Sequence, residues 1–104
     1  MSTEFAKPYN YKVEWTETTG PSSYTAGGFQ IQLTRLKSIK IAIVDIEQPD
    51  HDNYVYKKET SVSGNVITVV IKRIDVTASS PASWTEPAGV DLSDLKIKVI
   101  AIGE

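Results

Sequence analysis

The sequence predicts an all-β protein, an antiparallel β-sandwich or jelly-roll-like fold with six to eight strands, and three observations lead there. The first is the run Asn65-Val66-Ile67-Thr68-Val69-Val70-Ile71-Lys72. Its β-branched side chains suit a pleated, half-buried surface better than a helix turn. Ile67, Val69 and Ile71 make one face and Val66, Thr68 and Val70 the other, so both faces are largely apolar, as expected of a central strand covered on two sides. The second is the alternation of Tyr9-Asn10-Tyr11-Lys12-Val13-Glu14-Trp15, which reads as a strand with Tyr9, Tyr11, Val13 and Trp15 toward the core and Asn10, Lys12 and Glu14 toward water. The third is the spacing of loop signals, with no 3.6-residue apolar period sustained between them.

In order along the chain, residues 1–8 read as an extended arm whose one large apolar residue is Phe5, and Pro8 keeps it from continuing as helix. Residues 9–104 read as a single domain, the size that one core supports. The loop Thr16 to Gly28 is long for a hairpin and is expected to cross from one sheet to another. Phe29, Ile31 and Leu33 alternate with polar residues as a second strand. In Ser38 to Ile46 the isoleucines 39, 41 and 43 mark one face, and the alternation then shifts. That shift predicts either a second apolar layer or a β-bulge near Ile43-Val44. Tyr54 to Ile74 reads as an antiparallel hairpin turning at Ser63-Gly64-Asn65. Thr77 to Gly89 is a second long loop, and in the terminal strand Leu95, Ile97, Val99 and Ala101 face one way while Lys96 and Lys98 give way to Ile100 and Ile102 on the other.

The composition narrows the chemistry. Lysines and arginines are scattered along a chain of net charge −2, whereas a phosphate backbone is gripped by clustered ones, so no nucleic acid partner is expected. The absence of cysteine removes disulfides, thiolate catalysis and thiolate metal sites. No apolar run reaches the ~20 residues needed to span a bilayer, and the first eight residues lack the pattern of a signal peptide. The acidic turn Asp50-His51-Asp52 could suggest calcium, but the EF-hand spacing fails, since the sixth and twelfth places counted from Asp50 hold Val55 and Ser61. The turn is expected to be structural, with no metal and no cofactor. No serine stands in a Gly-x-Ser-x-Gly elbow, and Gly27-Gly28 fits no phosphate loop. No catalytic residue is expected.

Aromatic residues are the remaining candidates. Trp15, Tyr24, Trp84 and the pair Tyr54 and Tyr56 could form a platform for a sugar, although core packing explains Trp15 and strand packing explains Tyr54 and Tyr56. Trp84 stands in a proline-rich loop, where a large ring is either folded back as a plug or held out for a partner.

The order of motifs carries a resemblance. Ser23-Tyr24-Thr25-Ala26-Gly27-Gly28-Phe29 opens a strand, and an isoleucine-rich strand and a hairpin follow. Gly89-Val90-Asp91-Leu92-Ser93 then precedes the terminal strand ending Ala101-Ile102-Gly103. This order resembles the small virion structural proteins of tailed bacteriophages and related archaeal viruses, those attached to the capsid as decoration or minor capsid proteins. The resemblance covers most of the chain from Tyr24 onward and leaves out the strand that holds Trp15. It implies a non-enzymatic virion protein, made in the host cytoplasm, that binds the major capsid protein or another virion protein and forms a homo-oligomer, with a trimer favoured. Phe5, Trp84 and Tyr24 are then the candidate partner-contacting residues. A carbohydrate-binding module of β-sandwich type, with or without calcium, is the rival reading.

Overall fold

The computed structural model describes residues 11–49, 53–77 and 83–104. They form six strands: β1 (Lys12–Thr19), β2 (Phe29–Gln32), β3 (Ile39–Glu47), β4 (Tyr54–Ser63), β5 (Val66–Asp75) and β6 (Lys96–Gly103). No helix occurs among these residues. The strands make two antiparallel three-stranded sheets, ordered β1-β6-β3 and β2-β5-β4. The arm at residues 1–8, with Phe5, lies outside the described residues, as do Asp50, His51 and Asp52 of the acidic turn.

β5 is the centre of its sheet, as its composition predicts. Ile67, Val69 and Ile71 are completely buried, while Val66, Thr68 and Val70 on the opposite face are half-buried. In the other sheet β6 is central and turns Ile97, Val99 and Ala101 inward. These residues fall in one core cluster with Leu33, Leu36, Val44 and Leu95. The loop after β1 passes between the two sheets, as its length predicts. The β4–β5 hairpin turns at Gly64-Asn65, where Gly64 has φ of 61°, and no non-glycine residue among the described ones takes a positive φ. That pattern matches a two-residue turn with glycine in its first central place.

Tyr24 ties the loops to the core. Its side chain is 1% exposed. The hydroxyl donates to Glu86 Oε1 at 2.8 Å and accepts from the Ile71 N–H at 3.0 Å, and Gly27 N–H donates to the same Glu86 oxygen at 2.9 Å. Burial, reinforced by the nearby Glu86 and opposed by the Ile71 N–H, pushes the phenol up to about 12. One ring therefore joins β5, the 24–28 turn and the loop before β6. Gly28 follows at φ 99° against the Val69 carbonyl, where a Cβ would collide with the backbone, so the turn requires glycine twice over.

Two expectations need correction. The first strand is phased opposite to its alternation: Glu14 is buried, while Tyr11, Val13 and Trp15 are exposed. The reason is hydrogen bonding. Glu14 Oε2 accepts from the Thr34 N–H at 3.1 Å and the Thr34 hydroxyl at 3.3 Å, and Oε1 accepts from the N–H groups of Arg35 at 2.9 Å and Leu36 at 3.0 Å. A carboxylate with four donors can be buried where an unpaired one could not. Burial opposes its ionisation, but the Arg35, Thr34 and Leu36 N–H groups and the Thr34 hydroxyl outweigh it and hold the carboxyl below its ordinary range. The second correction concerns β3, whose register shift lies between Ile39 and Ile41 and not near Ile43-Val44. Ile39 consequently points inward and is 8% exposed, while Ile41 and Ile43 point outward.

Ile67→Ala is expected to cost about 2–5 kcal/mol, through lost transfer energy and a residual cavity, with Val69→Ala costing somewhat less. Chemical denaturation checks both, and a change within about 0.5 kcal/mol would show that the sites behave as surface. Glu14→Gln keeps the shape and removes the charge, and is expected to cost about 1.5–3 kcal/mol at neutral pH, the range for hydrogen bonds to a charged group. Because the folded carboxyl titrates below its ordinary value of 4.5, its contribution is complete above that value and disappears as pH falls through the lower folded-state value. Melting curves across that acidic range should therefore show the parent losing its advantage over Glu14→Gln. A constant difference would remove the carboxylate from the account.

Candidate interaction surface

The outward face of the β1-β6-β3 sheet follows from three local choices. Glu14 fixes the phase of β1, so that Val13 and Trp15 point away from the core. The register shift in β3 sends Ile41 and Ile43 the same way. In β6 the inward residues are Ile97, Val99 and Ala101, so Ile100 and Ile102 must point outward.

The register lines these side chains up in rows. Trp15 pairs with Ile100 and Ile100 with Ile43, which puts three large apolar residues across all three strands. The adjacent row is Val13, Ile102 and Ile41. Trp15 is 75% exposed, Ile43 61% and Ile41 56%. Tyr11 extends the patch at its margin. Side chains directly opposite or diagonal on one sheet face touch one another, so the six residues form a single apolar area and not scattered exposed groups.

Beyond the Trp15 row the face changes character. The next row is Glu17, Lys98 and Asp45, and the one after it Thr19, Lys96 and Glu47. Lys98 Nζ lies 2.9 Å from a Glu47 carboxylate oxygen. That hydrogen bond, with the attraction between the two charges, raises the lysine above its ordinary range and lowers the glutamate. The charged rows mix signs, with Glu17, Asp45 and Glu47 on the edge strands beside Lys96 and Lys98 on the middle one.

The expected site residues are placed differently. Tyr24 is a core residue held by Glu86 and Ile71, so its ring is not on the surface. Trp84 is 37% exposed, and Lys57 Nζ stands 5.0 Å from the centre of its ring. The neighbouring Thr85 bridges to Arg73 of β5, which fixes this loop against the sheet. Tyr54 and Tyr56 are half-buried, with ring centres 6.2 Å apart and the Arg73 guanidinium 3.8 Å from the Tyr54 ring. The aromatic residues thus form no common platform: Trp15 and Tyr24 belong to different layers. A groove of about 500 Å³ runs along β1 and β2, bordered by Glu14, Thr16, Thr18, Gln30 and Gln32. Of its two charged lining residues, Glu14 and Glu17, Glu14 is already engaged by the 34–36 segment. Among the described residues, no group of three or more histidine, cysteine or acidic side chains is placed to hold a metal ion.

Sequence reasoning missed the apolar face because β3 and β6 carry apolar residues on both sides, which normally signals cover on both sides, and because the apolar side of β1 was expected to face the core. The signal that could have found it is the change within β6, from Lys96 and Lys98 to Ile100 and Ile102 on the same face.

No protein-family model, curated protein or solved structure matches this chain.

Proposed function

We propose that this protein is a non-enzymatic structural component of a protein assembly that works by burying surface against other subunits. In the specific form suggested by its resemblance to small virion proteins, it decorates or stabilises a viral capsid. The observation that carries the reading is the outward face of the β1-β6-β3 sheet. Two rows of large apolar side chains stand there, and Val13, Trp15, Ile41, Ile43 and Ile100, with Tyr11 beside them, are all exposed, a patch on the scale of the roughly 300–600 Å² of the largest on a typical monomer, which is often functional. Leaving such a face uncovered is costly, and covering it is favourable by about 25 cal/mol per Å² before the costs of association.

The fold that accompanies this reading is a β-sandwich, supported by the single cluster to which the inward residues of both sheets belong. A jelly-roll-like strand order is the narrower form. Trp84, half out of a fixed loop, is the candidate anchor toward a shell of other subunits, together with Phe5 of the arm. The partner is the major capsid protein or another virion protein. That the chain forms a homo-oligomer is part of the same proposal.

One observation favours the carbohydrate-binding alternative: Trp15 lies on an outward sheet face, 75% exposed. Its row neighbours are Ile100 and Ile43, which offer no hydrogen bonds to sugar hydroxyls. A sugar site needs a few convergent polar groups beside its aromatic ring, so the protein-binding reading is preferred.

Purified virus particles from cells that carry the gene should contain this chain in fixed proportion to the shell subunit. Trp84→Ala should lower its occupancy on washed particles about tenfold, the effect of ~1.4 kcal/mol, with an unchanged circular dichroism spectrum. A chain that stays out of the particles, measured by quantitative mass spectrometry, would refute the capsid reading.

A further inference from the structure

We infer that the outward face of the β1-β6-β3 sheet is occupied by a second copy of this chain, in a two-fold dimer packed sheet against sheet. The inference rests on reading that face as a protein-binding surface and goes on to name what binds it.

Area is the first consideration. Six large residues of the face are between 44% and 75% exposed and together present several hundred Å², on the scale of the ~800 Å² per partner that a standard stable interface buries. The face is thus large enough to account for a dimer without recruiting other surfaces.

Charge is the second. A different partner is usually selected by complementary charge, and the charges on this face come close to balance, three acids against two lysines, and stand apart from its apolar rows. Glu17, Asp45 and Glu47 surround Lys96 and Lys98 in alternating register, and the Lys98–Glu47 pair is closed at 2.9 Å. What remains is an almost purely aliphatic surface with one tryptophan. Homodimer interfaces are the more apolar class of protein contact.

Geometry is the third. The apolar rows lie at one end of the sheet and the charged rows at the other. Two copies related by a two-fold axis lying in the interface and perpendicular to the strands would run their strands antiparallel. Trp15, Ile100 and Ile43 would then be covered by the partner's apolar rows, while each copy's charged rows would project past the other's end into water. Sheets pack in this aligned manner ≈ 10 Å apart, rotated by about 30°. The contact is isologous, so one surface serves both subunits and the assembly closes at two. A closed trimer would instead require two different surfaces to meet.

The test is analytical ultracentrifugation of the full chain at about 100 µM and after serial dilution, with Trp84→Phe as background so that Trp15 is the sole tryptophan. The expected species is twice the 11.5 kDa chain mass, with Trp15 emission shifted to the blue and moving to the red as the dimer dilutes apart. Ile43→Lys and Ile100→Lys should each weaken association by about a hundredfold or more, since they bury an unpaired charge at the centre of the contact. Both positions face water in the monomer, so the circular dichroism spectrum should be unchanged. A parent that stays monomeric at every concentration overturns the inference, as does a dimer or trimer that Ile43→Lys leaves intact. A monomer with Trp15 already blue identifies residues 1–10 of the same chain as the cover and also overturns it. None of these results alters whether particles carry the chain, so failure of the dimer and failure of the capsid reading are separately visible.

Discussion

The carboxylate of Glu14 decides more about this molecule than any residue of its core. Its four hydrogen bonds to Thr34, Arg35 and Leu36 bind β1 to the segment that links β2 to β3. They also set which side of β1 faces inward. Because side chains alternate strictly along a strand, a single fixed residue fixes all of them. Placing Glu14 inside places Val13 and Trp15 outside, and with them the character of the whole outer surface.

A comparable polar tie acts on the other sheet. Tyr24 fills space in the core and uses its hydroxyl to join the Ile71 backbone to Glu86. Both ties consist of one buried group, fully satisfied, that reaches a loop whose backbone would otherwise be held only by turns. No buried side-chain polar atom lacks a partner among the described residues. Aliphatic burial supplies the driving force for collapse, and these two contacts select which loop lies where.

The functional reading follows from the same division. Buried aliphatic residues of both sheets make one core, and a second aliphatic set, on the far side of β1, β6 and β3, has nothing over it among the described residues. Proteins seldom keep two apolar layers on one three-stranded sheet unless both are covered. An interface that covers the outer layer turns an apparent excess of isoleucine into a second core shared between molecules.

The sequence alone determined the elements: six β-branched or alternating stretches, the hairpin at Gly64, the crossing between sheets after β1, the central place of β5 and the two sets of side chains along β6. Those features follow from local sterics and from long apolar runs, which read the same in any surroundings. Tertiary structure decided the rest. The alternation of Tyr11, Val13 and Trp15 against Lys12 and Glu14 is consistent with either phase, and the choice lay with donors about twenty residues away at Thr34 to Leu36. The β3 phase depended on a one-residue register shift against β6, which no local pattern marks. Tyr24 went to the core because Ile71 and Glu86, distant in sequence, offered its hydroxyl partners that an exposed ring would not need. Hydropathy specifies that a strand has two faces, and long-range hydrogen bonds specify which one is turned to the world.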